Sequence, residues 1–451
     1  MMDLSGQRVL IIGLGKTGTA TARFLSRQGA DVLVTDEKTP LELREVLDML
    51  RREGVNFRFH HPGVPDVLSK VEVVVPSPGV SPFHPILMEA VRTGKHVLSE
   101  LELACRFLKR PMIAITGTNG KTTTTTLIGE ILAKSGRSVF VGGNIGTPLI
   151  DYVGGLQQDD CVVVEVSSFQ LQWTRDFRPD VAILLNVTCD HADYHGTFAE
   201  YRRIKERIFE NQTGQDLAIL NADEDDTGVL SNRLAAKLAC FSSSRPLPKG
   251  IFLDGGRMIY HPLAGETETY PLSMVKIPGI HNIENVMTAV IAARWAGCRQ
   301  ENIIDAVSHF RGVAHRIEYV AEKDGVVFYD DSKATNVGAV LRALETFSRP
   351  VVLLMGGRDK QGDFESLAAM IEKRVKTLIL FGEARVKIAS LIGGVVETYQ
   401  AATLREAMPL AWHAAAAGDV VLLAPGCASF DEFKDYKERG DVFKQWIGSL
   451  S

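Results

Sequence analysis

Short apolar runs alternate with amphipathic stretches along this 451-residue chain. Polar or turn-forming residues follow each run, a pattern typical of buried parallel strands. The runs lie at 8–12, 31–35, 71–75, 113–116, 161–166, 181–185, 217–222, 326–329, 351–355, 377–381 and 420–424. Because helical patterns separate many of these runs, the sequence predicts an α/β fold.

The chain is long enough for about three domains of roughly 150 residues each. A strand, a glycine-rich turn, a helix and a second strand follow one another at 8–36, so we expect a Rossmann-like N-terminal domain at 1–98. A Gly-Lys-Thr loop after the strand at 113–116 predicts a central domain at 99–312 with a P-loop ATPase-like parallel sheet. The strands and polar loops that follow predict a Rossmann-like C-terminal domain at 313–451. A capping-box pattern at 99–102 predicts the start of a helix in the central domain. Short β-like runs between about 240 and 275 predict a small sheet excursion.

The stretch 113–128 carries a strong chemical signal. A buried strand leads into Gly117-Thr-Asn-Gly-Lys-Thr122, and a threonine-rich helix start follows. Backbone N–H groups of such a loop bind phosphate, the lysine reaches the terminal phosphates, and the threonine holds Mg²⁺. Position 115 is Ile, so the loop is shorter than the full G-x-x-x-x-G-K-[ST] signature. We predict nucleotide binding; an ordinary strand-to-helix turn with a surface lysine is the alternative.

A second glycine pattern follows the first strand. Gly13, Gly15 and Gly18 fit G-x-G-x-x-G, and Asp36 ends the next strand about 20 residues later. NAD would fit, but a UDP pyrophosphate would satisfy the same motif, and a turn without a ligand is a third reading. The rigid turn at 77–79 should lie at the carboxyl edge of this sheet, where ligands bind.

Three polar residues of the central domain stand at unusual positions. Glu165 interrupts an apolar strand, where a charge is costly unless it is paired or metal-bound. His191 follows the next strand and is either a ligand or a surface histidine. Lys205 lies in the apolar stripe of a helix predicted at 199–210, so it either extends to solvent or is chemically altered for a task.

Polar loops follow the predicted strands of the C-terminal domain. In parallel sheets such loops meet at one edge. Two lysines and two hydroxyl groups on these loops could bind anions, although each loop alone could be a solvated turn. These four residues are Lys333, Thr335, Lys360 and Ser429.

Composition narrows the classes of partner. The net charge of −5 gives no broad footprint for nucleic acid. No apolar run approaches the roughly 20 residues that span a bilayer, and the first residues lack the apolar core of a signal peptide, so we expect neither membrane association nor export. The six cysteines are far apart and form no Cys-x-x-Cys pair, which argues against structural zinc and disulfides. We expect a cytoplasmic monomer.

Together these motifs resemble the Mur ligases, the ATP-dependent enzymes that assemble the peptide of bacterial cell-wall precursors. The resemblance covers all three domains. The matching segments are 117–122, 165–170, 186–191, Lys205, 281–282, 315–316, 331–333 and 429–440. The sequence Asp-Ser-Lys-Ala-Thr-Asn at 331–336, together with Ser-Phe-Asp-Glu-Phe at 429–433 and the Arg-Gly pair at 439–440, is similar to the family member that adds D-glutamate. The Asp-Asn-Pro-Arg box of the diaminopimelate- or lysine-adding relative is absent from the C-terminal domain. Tyr436 stands where the resemblance leads us to expect Phe.

The resemblance implies that the first domain binds the UDP end of a UDP-sugar, and NAD becomes a poor candidate. The residues implied for the UDP-sugar are Leu14, Gly15, Thr17, Gly18, Asp36, Ser77, Pro78, Gly79, Asn144, Ser167 and Gln170. Those implied for ATP are Gly117, Thr118, Asn119, Gly120, Lys121, Thr122, Thr123, Asn282, Arg316 and Asp331.

Two Mg²⁺ ions are also implied. Thr122 and Glu165 would hold one ion, and His191 with a carbamylated Lys205 would hold the second. A carbamate is a hard oxygen ligand, whereas an ammonium group repels the metal. D-Glutamate would contact Lys333, Thr335, Lys360, Ser429 and Tyr436, and the implied catalytic residues are Lys121, Lys205, His191 and Glu165.

The implied activity is ATP-dependent addition of D-glutamate to UDP-N-acetylmuramoyl-L-alanine through an acyl phosphate, in peptidoglycan precursor synthesis. Two other classes stay open. An amide ligase of the folyl-polyglutamate type would share the phosphate loop, although the glycine motif of the first domain argues against it. A nucleotide-hydrolysing switch would need neither Lys205 nor the C-terminal loops.

Overall fold

The computed structural model describes residues 3–60, 67–188 and 192–450. They form two compact units, Met1–Leu272 with Met287–Ala306, and Ser273–Val286 with Val307–Ser451. The first unit contains two sheets and the second contains one. Within the described ranges, no helix is long and apolar enough to cross a membrane.

The first sheet has five parallel strands. Its elements are β1 (Arg8–Ile12), α1 (Lys16–Arg27), β2 (Asp31–Thr35), α2 (Arg44–Arg52), β3 (Phe57–Phe59), β4 (Val73–Pro76), α3 (Pro85–Arg92) and β5 (His96–Val97), with a 3₁₀ turn at Leu68–Lys70. The strand order is β3-β2-β1-β4-β5, so the order reverses at β1. The carboxyl ends of β1 and β4 flank this switch point, where open α/β sheets bind ligands.

The second sheet has nine strands in the order β14-β13-β12-β11-β10-β9-β6-β8-β7. The elements of this region are α4 (Glu100–Cys105), β6 (Met112–Thr116), α5 (Lys121–Lys134), β7 (Val139–Gly143), α6 (Leu149–Val153), β8 (Cys161–Glu165), α7 (Ser168–Leu171), β9 (Val181–Leu184), α8 (Ala192–His195), α9 (Phe198–Glu206), β10 (Leu217–Asn221), α10 (Thr227–Ser231), β11 (Lys237–Ser242), β12 (Gly250–Asp254), β13 (Arg257–His261), β14 (Glu268–Pro271), α11 (Ile280–Trp295) and α12 (Gln300–His309). Strand β6 pairs in parallel with β8 and β9, so the loops that follow these three strands share one edge.

The short β-like runs predicted between 240 and 275 belong to the central sheet, because β11 continues the nine-stranded sheet and β12 to β14 extend it with antiparallel pairs. One local prediction for this region needs correction. The helix expected at 199–210 ends at Glu206, and a 3₁₀ turn at Arg207–Phe209 completes the segment.

The third sheet has six strands in the order β15-β16-β20-β17-β18-β19. Its elements are β15 (Glu318–Lys323), β16 (Val326–Asp330), α13 (Val337–Glu345), β17 (Val351–Gly356), α14 (Ala368–Arg374), β18 (Val375–Phe381), α15 (Arg385–Ile392), β19 (Glu397–Gln400), α16 (Leu404–Ala414), β20 (Val420–Gly426) and α17 (Tyr436–Ser449). Because β20 pairs in parallel with both β16 and β17, the loops after all three meet at one edge. The predicted α/β fold with three mainly parallel sheets is confirmed.

The first two sheets share one apolar core, which accounts for their single compact unit. This core includes Phe24 of α1 and Phe107, whose ring centroids are 5.0 Å apart in an edge-to-face arrangement. In the second unit, the third sheet buries both faces under separate helix layers. Strands buried on both faces are the ones that the continuous apolar runs predicted.

Candidate active site

The phosphate loop is shaped by two glycines with positive φ. Gly117 has φ 152° and Gly120, which precedes α5, has φ 84°. The loop is fixed to the end of β9, because Thr118 N donates to Asn186 O and Asn119 N donates to Asn186 Oδ1, both at 2.9 Å. The first N–H groups of a helix have no intrahelical acceptor and can bind phosphate oxygens.

Two lysines converge on this loop. Lys121 Nζ donates to Gly117 O and Thr118 O, both at 2.8 Å, and Lys205 Nζ donates to the same Gly117 O at 2.8 Å. The Lys205 side chain is 1% exposed and lies 4.6 Å from the ring centroid of Tyr201. The Lys205 side chain does not extend to solvent, so that alternative for Lys205 is wrong. The Lys121 cation at a loop of backbone N–H groups favours a polyanion.

A hydroxyl and a carboxylate meet beside the two lysines. Thr122 Oγ1 donates to Glu165 Oε2 at 2.6 Å, and Asn144 Nδ2 donates to Glu165 Oε1 at 2.7 Å. Glu165 is 2% exposed. Hydroxyl and carboxylate oxygens are the hard ligands that Mg²⁺ prefers, so this donor set fits the ion that ATP chemistry requires. His191, predicted as a ligand of the second ion, lies outside the described residues.

The loop after Glu165 is held by a complete capping box. Ser167 Oγ accepts from Gln170 N, and Gln170 Oε1 accepts from Ser167 N at 3.0 Å. Ser168 Oγ lies 2.9 Å from His195 Nε2. His195 was not predicted as a site residue, because no pattern in the sequence marks it. Tyr201 was also missed as a site residue, although it stands one helical turn before Lys205.

In the first sheet, the glycine turn after β1 is closed by side chains. Leu14 N donates to Asp36 Oδ2 at 2.6 Å, and Ser77 Oγ donates to Gly13 O at 2.7 Å. Lys16 Nζ donates to Gly146 O, in the loop after Asn144. The structure therefore brings the predicted UDP-sugar residues of the first sheet close to the loop that carries Asn144. Thr17 lies in the first turn of α1, and Pro78 and Gly79 lie in the turn after β4.

Position 18, in the first turn of α1, has room only for a glycine. A Cβ at Gly18 would lie 1.9 Å from Gly13 O, whereas a Cβ at Gly15 would meet no atom within 4 Å. We expect Gly18→Ala to lower the free energy of unfolding by about 1–3 kcal/mol through overpacking, and to raise the KM for the UDP-sugar. Gly15→Ala is the matched control for stability. Urea unfolding of both variants tests the prediction, and equal stabilities would contradict it.

The remaining predicted ATP residues belong to the second unit. Asp331 Oδ1 accepts from Ile317 N at 3.2 Å, and burial raises the pKa of Asp331 well above its ordinary value while the charge of Arg316 opposes that shift. Asn282 Nδ2 donates to Pro278 O at 2.6 Å. The turn that precedes β15 is strained, because His315 and Ile317 have positive φ angles of 64° and 45°.

The predicted D-glutamate residues lie on loops that one buried arginine ties together. Arg439 is 0% exposed and donates to Ser332 O at 2.8 Å, to Ser332 Oγ at 3.0 Å and to Cys427 O at 3.2 Å. Ser332 Oγ in turn donates to Tyr436 O at 2.8 Å. These bonds link the loops after β16 and β20 to the start of α17.

Four of the five predicted contacts fall on these linked segments. Lys333 Nζ lies 4.1 Å from the ring centroid of Tyr436, Thr335 N donates to Lys333 O at 2.8 Å, and Ser429 is buried. Lys360 is exposed on the loop after β17. That loop is joined to the β20 loop by a pair of 2.9 Å backbone bonds between Arg358 and Ala428. Arg439 lies in the segment 429–440 that matches the family, but no role was predicted for it, because its contacts with the loops after β16 and β20 depend on tertiary packing.

Comparison with known families gives three matches along the chain. Residues 7–99 match the Mur ligase MurD-like N-terminal domain. Residues 115–293 match the Mur ligase middle domain, and residues 315–427 match the glutamate ligase domain of the Mur ligases.

Two relatives named UDP-N-acetylmuramoylalanine--D-glutamate ligase match over the whole chain. The protein from Syntrophus aciditrophicus (strain SB) is 58% identical over 451 residues, covering 100% of this chain and 99% of its own. The protein from Geobacter metallireducens is 45% identical over 449 residues, with the same coverage.

Solved structures show the same fold at low identity. UDP-N-acetylmuramate-alanine ligase MurC from Thermotoga maritima aligns with TM-score 0.59 and 19% identity over 98% of this chain and 99% of its own. MurF ligase from Thermotoga maritima in complex with ADP aligns with TM-score 0.61 and 17% identity over 100% of this chain and 97% of its own. From its family matches and full-length relatives, this chain belongs to the Mur ligase family.

Proposed function

We propose that this chain is an ATP-dependent ligase that joins D-glutamate to UDP-N-acetylmuramoyl-L-alanine in peptidoglycan precursor synthesis. The observation that carries the proposal is the convergence of Lys121 and Lys205 on Gly117 O, beside the Thr122–Glu165 pair. It occurs in a chain that is 58% identical, over its full length, to a relative named for this activity.

The reaction has two steps with balanced chemistry. A carboxylate oxygen of UDP-N-acetylmuramoyl-L-alanine attacks the γ-phosphorus of ATP, ADP leaves, and an acyl phosphate forms. The amine of D-glutamate then attacks the acyl carbon, loses a proton, and expels phosphate to leave an amide. Positioning of the reactants contributes up to about 7–11 kcal/mol in such reactions, and charge on the phosphoryl oxygens contributes further.

The roles of the first-unit residues follow from their contacts. Lys121 is held by two loop carbonyls and would neutralise the transferring phosphoryl group. Thr122 and Glu165 would hold a Mg²⁺ ion, which supplies positive charge to the phosphate oxygens. The UDP-sugar would lie along the glycine turn of the first sheet, Asn144 and the capping box of Ser167 and Gln170.

We also propose that Lys205 carries a carbamate and, with His191, holds a second Mg²⁺ ion. Its burial supports this, because an ammonium is costly to bury, whereas a carbamate offers a hard oxygen ligand at the phosphate loop. The nucleotide would also contact three residues that belong to the second unit, Asn282, Arg316 and Asp331.

D-Glutamate would bind to the linked loops of the third sheet. Lys333, Lys360 and the hydroxyl groups of Thr335 and Ser429 would bind its two carboxylates, with Tyr436 as an aromatic wall. An analogue without the side-chain carboxylate leaves a lysine unpaired, and such losses reach several kcal/mol.

We also propose domain boundaries at 98/99 and 312/313, as predicted from the sequence. The monomeric state and the cytoplasmic location are proposals too, and light scattering tests the monomeric state.

The test is phosphate release from ATP with UDP-N-acetylmuramoyl-L-alanine and a panel of amino acids. We expect turnover with D-glutamate, and little with L-glutamate, D-aspartate, D-glutamine, L-alanine or L-lysine. Lys360→Ala and Ser429→Ala should lose D-glutamate use and keep ATP affinity. Equal turnover with another amino acid would contradict the substrate, and phosphate release without both acid and amine would favour a nucleotide-hydrolysing switch.

A further inference from the structure

A buried carboxylate that the proposed reaction does not use contacts both loops of the UDP-sugar region. Glu100 lies in the first turn of α4 and is 1% exposed. Its Oε1 accepts from Ile150 N at 2.7 Å, and its Oε2 accepts from Gln170 Nε2 at 3.4 Å. Ile150 lies in the first turn of α6, which follows the loop that contains Asn144, and Gln170 lies in α7, which follows the loop after Glu165.

The contact with Gln170 has a fixed direction. Gln170 Oε1 accepts from Ser167 N at 3.0 Å, and because a backbone N–H can only donate, the amide oxygen must face Ser167. The amide nitrogen then faces Glu100 and needs an acceptor there. An ionised carboxylate can only accept, so Glu100 supplies the partner that keeps Gln170 in this orientation and the capping box intact.

The second contact acts on the Asn144 loop. Asn144 donates to Glu165 through both its backbone N, to Glu165 O at 2.9 Å, and its side chain, to Glu165 Oε1 at 2.7 Å. At the other end of this loop, Glu100 accepts from the first turn of α6, where a negative charge is favourable. One carboxylate therefore holds the far ends of two loops that meet at Glu165.

We propose that Glu100 is a positioning residue that holds Asn144, Ser167 and Gln170 in the arrangement that binds the UDP-sugar. The inference rests on the proposed function for those three residues. Glu100 itself is buried behind them and acts only through the loops.

The charges around Glu100 make this role dependent on pH. Burial raises the pKa of Glu100 to about 7, the charge of Asp151 on α6 adds to the rise, and the hydrogen bonds from Ile150 and Gln170 oppose it. Helix α1 directs Lys16, Arg23 and Arg27 at Asp151, and Glu102 of α4 also lies buried. Helix α7, with the sequence Ser-Phe-Gln-Leu, has no titratable side chain.

The sign of the effect separates positioning from stability. Below pH 7 the Glu100 carboxyl group takes up a proton, and its O–H then faces the N–H of Ile150 or the amide NH₂ of Gln170, which are also donors. The KM for the UDP-sugar should therefore rise as the pH falls. Folding raises the pKa of this carboxyl, so the group's contribution to the free energy of unfolding is largest below its ordinary pKa and is lost as the pH rises through 7. Substrate affinity and stability should therefore change in opposite directions.

The experiment compares Glu100→Gln with Glu102→Gln. In Glu100→Gln one amide NH₂ must face Ile150 N–H or the Gln170 amide, so we expect the KM for UDP-N-acetylmuramoyl-L-alanine to rise about tenfold and to lose its dependence on pH across neutrality. The kcat and the KM for D-glutamate should stay within about twofold. Glu102 is equally buried, but its carboxylate accepts from Arg175 N and Asp176 N at 2.9 and 3.0 Å, so Glu102→Gln should lose stability and keep the wild-type KM and its pH dependence.

Binding of UDP-N-acetylmuramoyl-L-alanine to the wild-type protein, measured by calorimetry across neutral pH, completes the test even if Glu100→Gln fails to fold. Affinity that falls on acidification supports the inference, and affinity independent of pH overturns it. A normal KM in folded Glu100→Gln, or an equal rise in Glu102→Gln, also overturns it while the proposed function stands. A wild-type protein that binds no UDP-sugar at any pH overturns both.

Discussion

Lys121→Ala should lower turnover by about 100- to 1,000-fold while the protein stays folded. The Lys121 ammonium donates to two carbonyls of its own loop, and Lys121 is not part of the apolar core of the first unit. The loop keeps its shape through the bonds from Thr118 N and Asn119 N to Asn186. The loss should therefore fall on stabilisation of the transferring phosphoryl group.

Phosphate release and the free energy of unfolding together test this prediction. Lys134→Ala is a matched control, because Lys134 ends the same helix and pairs at 3.3 Å with the exposed Asp305. A surface pair of this kind contributes about 0–1 kcal/mol, so the control should keep its activity. Lys121→Ala with more than about a tenth of wild-type turnover would contradict the role, since that loss is less than about 1.4 kcal/mol.

Lys205→Ala should also be inactive, and small carboxylates should restore part of its activity. The side chain is buried at Gly117 O and beside the Tyr201 ring, so its removal leaves a space that acetate or formate can occupy. If a carbamate is the working group, an added carboxylate replaces its oxygen ligand, which a chloride salt of equal ionic strength cannot do. We expect a loss of at least about 100-fold without rescue.

Phosphate release with and without carboxylate measures this rescue. The control is Arg203→Ala, because Arg203 lies on the same helix, is exposed, and pairs with Glu200 at 2.7 Å. Full activity of Lys205→Ala would remove the proposed role. A plain ammonium in a well-resolved crystal structure with nucleotide and Mg²⁺ bound would remove the carbamate while leaving the lysine.

The continuous apolar runs were reliable because they mark strands buried on both faces. Each run in the third domain became an inner strand, whereas β15 and β19 were missed. These two strands lie at the sheet edges, and their residues are mostly exposed or half-buried, so they lack a continuous apolar run. The strands between 237 and 271 were anticipated, but their attachment to the central sheet depends on pairing with β10, which local sequence does not encode.

The sequence also predicted the chemistry of the phosphate loop, because Gly117 to Thr122 are contiguous and their roles depend on local backbone geometry. An out-of-place residue such as Lys205 could be noticed, but two readings remained until packing showed that it is buried at Gly117 O.

The roles of Glu100 and Arg439 could not be predicted from the sequence, because they depend on contacts between segments that are distant in the chain. Glu100 contacts residues 50 and 70 positions away, and Arg439 contacts Ser332, which is 107 positions away. Glu100 stood in a helix start where a capping pattern was expected, and Ser99 does accept from Glu102 N at 3.2 Å. The sequence by itself determined the strands that are buried on both faces, the phosphate loop and the family. Only the tertiary structure decided which buried charges hold those loops in place, because burial and hydrogen-bond partners arise when distant segments pack together.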